Sequence, residues 1–239
     1  MADLDPQNWD ELDRAFGQAL TAGFSHYQSL AEQPVWQPAP DDIRQCFTTP
    51  VPREGRPLDE LVARFRDQLL PYGNGNTHPS FYGWVHGGGN LYGALGELCA
   101  ALLNSNLGGR DHIAHHVEQQ VIQWSRDLFS FPSSSSGLLV SGTSMATVIA
   151  LAVARQWAAG PEIKAEGLQG RESRLVGYCS EQTHSAVIKA FQLLGLGGKA
   201  LRQVPVHDDF TLDAAAMEQQ VTEDREAGLT PFCVIGTVG

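Results

Sequence analysis

The sequence predicts an α/β protein: a mainly parallel sheet with flanking helices, preceded by a helical N-terminal arm. Three observations carry this. From residue 137 onward, short apolar runs of strand length alternate with longer segments of helical period, the pattern of repeated βα units. Residues 1–75 hold helical patterns and a proline-rich connector but no strand-like run. At 42% hydrophobic and 18% charged residues, the chain can bury a core and is not disordered by composition.

In the arm, Trp9, Leu12, Phe16, Leu20 and Phe24 recur at helical spacing over residues 8–31, and Asn8 can cap that helix. Six of the thirteen prolines fall in residues 34–57, which read as an extended connector. Leu58, Leu61, Phe65 and Leu69 then share one face of a short helix over 58–70. The irregular, glycine-rich stretch THPSFYGWVHGGGN follows. Residues 91–107 read as a buried helix, and Val117, Val121, Trp124 and Leu128 mark another. Strands are expected at 137–141, 174–179, near 200–206 and at 231–236, with helices at 144–158, 183–194 and 213–227 between them. The run PFCVIG at 231–236 reads as a central, fully buried strand. Because the chain stops three residues later, the sequence suggests the first part of a longer protein.

A formal charge of −11 argues against nucleic acid or an anionic membrane surface as partner. No apolar run approaches bilayer length, and the acidic N-terminus lacks a signal-peptide core, so a cytoplasmic protein is expected. Cys46, Cys99, Cys179 and Cys233 lie far apart, with no metal-ligand or redox spacing, and three sit in apolar runs as small hydrophobes. His112 and His116 share a helix face at a spacing that can bind zinc, with His115 beside them. The context DHIAHHVE lacks the glutamate of a zinc-protease helix, so no metal is expected.

The stretch LLVSGTSMATVIAL, 138–151, reads as strand, tight turn and helix. Such a turn can expose a nucleophile. Gly142-Thr143-Ser144-Met145-Ala146 approximates the G-x-S-x-G elbow, His86-Gly87-Gly88-Gly89 copies the HGGG oxyanion motif, and His184 could serve as base. No aspartate lies between Ser144 and His184 to complete that fold's triad order. The same turn can instead gather backbone N–H groups and the hydroxyls of Thr143 and Ser144 around a phosphate at a helix N-terminus. It lacks the lysine of a Walker loop and the spacing of a dinucleotide fingerprint, which leaves a small phosphate-bearing cofactor. It can also be a plain βα turn with Ser and Thr as caps. His184 opens the helix after the next strand, so a doubly wound sheet would place it on the same edge as Ser144.

Five ordered stretches are similar to the pyridoxal-5′-phosphate-dependent group II amino-acid decarboxylases, the family of aromatic-L-amino-acid and glutamate decarboxylases. They are HPSFYGWVHGGG, Asn104 with the Glu118-containing helix, SGTSMATVIALAVAR, YCSEQTHSAVIKAFQLLG and PFCVIGTVG, together spanning about His78 to Gly239. The resemblance implies the large domain of a fold type I PLP-dependent transferase over 76–239, truncated, with residues 1–75 as an arm packing across a homodimer partner. It implies pyridoxal 5′-phosphate as cofactor and an L-amino acid as the substrate of a carboxy-lyase, and the glycines after His86 leave room for an aromatic side chain. By position, Thr143 and Ser144 would bind the cofactor phosphate, His184 would stack on its ring as the catalytic histidine, and Thr237 would sit at its other side. Trp84 and His86 would line the substrate pocket. Met145 departs from the acidic residue common at that point of the family's turn. The lysine that carries the cofactor and the acid at its ring nitrogen come after the strand that PFCVIGTVG begins. None of Lys164, Lys189 and Lys199 has the family context for that lysine, and on a continuous helix Lys189 would point about 140° from His184. The chain alone is therefore expected to be inactive, with a non-catalytic half-protein as another reading.

Overall fold

The computed structural model describes residues 5–106, 108–170 and 174–238. The chain forms two compact units, Met1–Asn106 and Leu107–Gly239.

The first unit is helical. Helix α1 (Trp9–Ser29) starts where the Asn8 side chain accepts the Glu11 N–H at 3.2 Å, the expected cap. Two short helices follow, α2 (Asp41–Gln45) and α3 (Leu58–Arg64), and α3 runs on through one wide turn to Leu69. Helix α1 packs on α3, and the aromatic stripe of Trp9, Phe16 and Phe24 remains exposed. Helix α4 (Leu91–Leu103) begins with Asn90 accepting the Gly93 N–H at 2.8 Å. It was expected to be buried, yet it is exposed along nearly its whole length. Apolarity on every side marks a helix that something must cover, but does not supply the cover.

The second unit carries the sheet. Its elements are α5 (Ile113–Leu128), α6 (Thr143–Ala159), α7 (Ile163–Glu166), β1 (Leu175–Ser180), α8 (Ala186–Leu193), β2 (Leu201–Val204), α9 (Ala214–Glu226) and β3 (Thr230–Ile235). Among the described residues the strands form one parallel sheet in the order β2-β1-β3. The alternation read from the sequence is thus correct for three strands. The fourth, at 137–141, is extended backbone without a ladder partner, because no described strand lies beside it. Strand β3, expected to be central, is an edge strand with Val234 exposed.

Strand β1 is central, and a strand covered on both faces must be apolar throughout. Residues Leu175 to Cys179 are all buried. Helices α6 and α8 pack together over one face, where Leu151, Val187, Ala190 and Phe191 meet Cys179 and Leu201. Burial pushes the Cys179 thiol up and the Cys233 thiol to about 12, so both behave as small hydrophobes. Cys99, by contrast, is exposed. Gly177 is required for space: a Cβ there would lie 2.7 Å from both Cys233 Sγ and the Phe191 ring.

On the other face, Asp224 of α9 is buried against β1. The Tyr178 hydroxyl donates to its Oδ2 at 2.9 Å, and the Arg202 guanidinium of β2 grips both carboxylate oxygens at 2.7 to 3.1 Å. This fork-to-carboxylate pairing ties helix α9 to two strands at once. The hydrogen bonds from Arg202 hold the Asp224 carboxyl below its ordinary range, and burial beside this carboxylate drives the Tyr178 phenol above its own.

Two outcomes check this packing. Gly177→Ala is expected to cost about 1–3 kcal/mol in urea unfolding through overpacking. Asp224→Ala leaves a guanidinium and a phenol without their partner and is expected to cost about 3 kcal/mol. The folded carboxyl of Asp224 is depressed, so its contribution is complete above the ordinary carboxylate range and is lost as pH falls below about 4. A pH series of unfolding midpoints should therefore show a shallower acid slope in Asp224→Ala.

Candidate cofactor-binding site

Helix α6 begins at an open end. The N–H groups of Met145 and Ala146 both bond to the Gly142 carbonyl at 3.1 Å. The N–H groups of Thr143 and Ser144 precede that first closing bond and have no intrahelical acceptor. Among the described residues the hydroxyls of Thr143 and Ser144 donate to nothing, and residues 141–146 are exposed. Thr147 lies deeper, its hydroxyl bonded to the Thr143 carbonyl at 2.9 Å. Two backbone donors and two hydroxyls thus sit at the positive end of a 17-residue helix.

The second component comes from the carboxyl end of β1. Ser180 closes a tight turn: its Oγ accepts the Gln182 N–H at 3.0 Å and its carbonyl accepts the Thr183 N–H at 2.9 Å. The Glu181 N–H bonds to the Val204 carbonyl at the end of β2, at 2.9 Å. His184 follows, and its Nδ1 accepts the Ala186 N–H at 3.1 Å. A nitrogen that accepts an N–H carries no proton, so the imidazole is left with Nε2 as its free edge.

Ser144 and His184 line one cleft of about 310 Å³, with Met145 and Val148 of α6 and Ala186, Lys189, Ala190 and Leu193 of α8. The structure therefore brings the turn at Thr143 and Ser144 and the histidine to one cleft. It also corrects the reading of Lys189. Helix α8 starts at Ala186, so His184 lies in the preceding turn and the rotation per residue of a helix does not relate the two. Lys189 faces the same cleft as His184. Among the described residues no carboxylate lines this cleft to act with Ser144 and His184 as the third member of a hydrolase triad.

Thr237 lies two residues beyond Ile235, which pairs with Cys179 in the parallel register. It is exposed past the same sheet edge at which the His184 turn begins. Trp84 and His86 lie in the first unit and are both exposed. Their rings stack at 5.6 Å with Phe81 beside them, and Asn74 Nδ2 lies 3.3 Å from His86 Nδ1. Of the histidine group near 112–116, His116 pairs with Asp111 at 2.9 Å, and among the described residues no cluster suits a metal ion.

Glu118 supports the approach to this turn, a role that its motif alone does not show. Glu118 of α5 accepts the Leu139 N–H at 2.9 Å, three residues before Gly142. One face of α5 supports the whole approach: Glu118 at Leu139, Ile122 against Gly137 and Arg126 donating to the Ser133 carbonyl at 3.1 Å. Positions 118, 122 and 126 are spaced one turn apart, and that periodicity was the available signal.

The donor set fits a phosphorylated aromatic cofactor: N–H groups and hydroxyls for the anion, an imidazole for a ring, and the apolar side chain of Val148 between them. Comparison with known proteins agrees. The model of the pyridoxal-dependent decarboxylase conserved domain matches residues 40–239.

The chain belongs to the pyridoxal-dependent decarboxylase family.

Pyridoxal phosphate is the family's cofactor, and its members are carboxy-lyases. The aromatic-L-amino-acid decarboxylase of Bacillus atrophaeus is 29% identical over 235 residues, 96% of this chain and 47% of that protein. The crystal structure of Rhodiola rosea 4-hydroxyphenylacetaldehyde synthase superposes with a TM-score of 0.83 at 25% identity, over 98% of this chain and 52% of that one. Oryza sativa TDC, crystallised with PLP and tryptamine, shares the fold with a TM-score of 0.83 at 24% identity, over 99% of this chain and 50% of that one. The chain spans about half the length of the curated relatives it matches.

The Glu118 contact has a direct check. Glu118→Ala is expected to raise amide exchange at Leu139 about tenfold or more, as loss of a charge-assisted bond of roughly 1.5–3 kcal/mol would allow. Glu118→Gln keeps an acceptor and should stay near the parent rate.

Proposed function

We propose that this chain supplies the phosphate- and ring-contacting half of a pyridoxal-phosphate-dependent amino-acid decarboxylase. The observation that carries the reading is the shared cleft of Ser144 and His184, on a chain whose family is pyridoxal-dependent. When bound, the cofactor supplies an electron sink for the pair left as CO₂ departs. The residues of this chain would bind and orient it. The N–H groups and hydroxyls of Thr143 and Ser144 would hold the phosphate. His184, fixed at Nδ1 by the Ala186 N–H, would contact the ring. Val148 would add an apolar wall to the cleft. Thr237 bounds the opposite side, and Trp84 and His86 contribute to the substrate pocket.

An aromatic L-amino acid is the proposed substrate. The names of relatives such as the Bacillus atrophaeus decarboxylase and a tryptophan decarboxylase of Oryza sativa support it. Others are named aldehyde synthases, so net decarboxylation and oxidative loss of the amine are both within reach of the family. We further place the protein in the cytoplasm, as a homodimer whose residues 1–75 pack on the partner and precede the large domain at 76–239. The exposed stripe of Trp9, Phe16 and Phe24 supports that packing, and no described helix is long and apolar enough to cross a membrane.

The test compares cofactor forms and then turnover. Pyridoxal 5′-phosphate should bind at least tenfold more tightly than pyridoxal, which lacks the phosphate. Ser144→Val should erase most of that difference. The whole protein loaded with cofactor should release CO₂ from aromatic L-amino acids. Equal affinity for the two cofactor forms, or no CO₂ from any amino acid, would overturn the reading.

A further inference from the structure

The segment that carries Trp84 and His86 is built on a buried histidine. His78 is only 8% exposed, although Tyr82, Trp84 and His86 after it are open to solvent. Its Nδ1 accepts the Ser80 N–H at 2.9 Å, so the proton sits on Nε2, which donates to the Gln33 carbonyl at 3.1 Å. Gln33 closes the short turn that follows α1, its own N–H bonded to the Leu30 carbonyl at 3.1 Å. A buried imidazole with both nitrogens engaged has one orientation, because turning it would strand a donor and an acceptor away from water. The chain enters the segment through Gly75, whose φ is +82° and where a Cβ would collide with the Val35 carbonyl. Further on, the Asn76 amide donates to the Gly87 carbonyl at 2.9 Å. Between these points the His78 carbonyl accepts the Phe81 N–H at 3.0 Å, and the Phe81 ring lies 6.3 Å from that of Trp84 and 5.9 Å from that of His86. A continuous path thus runs from Gln33 through His78 and Phe81 to Trp84 and His86.

We propose that His78 is a positioning residue: by tying this segment to the Gln33 carbonyl, it fixes Phe81, Trp84 and His86 in the arrangement that receives the substrate side chain. The inference rests on the placement of Trp84 and His86 at the substrate pocket and adds the residue that holds them there. His78 itself does not touch the substrate. A fixed set of rings avoids the entropy loss of ordering mobile ones on binding, so the effect of His78 falls on substrate affinity.

Two replacements separate the two bonds. A glutamine amide can take the place of Nε2 and donate to Gln33, whereas an asparagine oxygen can take the place of Nδ1 and accept from Ser80. In the chain, His78→Asn should raise amide exchange at Phe81 about tenfold while the amides of α1 keep their parent rates, and His78→Gln should stay within about twofold of the parent. In the whole protein loaded with cofactor, His78→Asn should raise KM for L-tyrosine and L-tryptophan about five- to tenfold with kcat within about twofold, and His78→Gln should restore KM. Unchanged exchange in His78→Asn, or a His78→Gln as loose as His78→Asn, would overturn the tether. Faster exchange at Phe81 with KM unchanged, a fall in kcat at constant KM, or exchange that rises through α1 as well would overturn the positioning role and leave His78 a purely structural residue. A parent protein that releases CO₂ from neither amino acid would overturn the pocket reading itself and this inference with it.

Discussion

The parallel pairing of β1 with β2 on one side and β3 on the other is the constraint from which the second unit follows. A parallel strand cannot return by a hairpin, so each is joined to the next by a helix that must cover the sheet. Both faces of β1 are consequently buried, and Tyr178 and Cys179 have almost no contact with water. The same directionality sends every strand's carboxyl end to one edge. The turn carrying His184 leaves β1 there, and Thr237 follows β3 at that edge. The site is therefore a consequence of strand direction before it is a matter of particular side chains.

Two polar devices keep this arrangement in register. The buried Asp224, held by Arg202 and Tyr178, fixes α9 against two strands where apolar contact alone would allow sliding. A single carboxylate satisfied from two directions tolerates little displacement. Ahead of α6, the approach to the cup has no ladder partner and depends on side chains from one face of α5. The phosphate turn is thus supported by a helix in place of a neighbouring strand, and its geometry is sensitive to a residue far from any ligand.

Much was legible in the sequence, for definable reasons. Periodicity fixed the helices α1, α5, α6 and α9 and three strands, because burial on one or two faces leaves a pattern along the chain. Motif order singled out Thr143, Ser144 and His184, and the structure sets Ser144 and His184 on one cleft. What failed needed knowledge of neighbours. The apolar runs at 91–107 and 137–141 say only that something should cover them, and α4 stands exposed while 137–141 has no partner strand. Lys189 was misplaced because the helix starts three residues later than expected, and rotation along a helix means nothing across the turn that precedes it. The sequence by itself determined most of the helices and three of the strands, since periodicity is a local property. Only the tertiary structure decided that Asp224 meets Arg202, that Glu118 supports Leu139 and that Met145 and Lys189 share a cleft with Ser144. Those pairings depend on how strands order in a sheet, which no local pattern encodes.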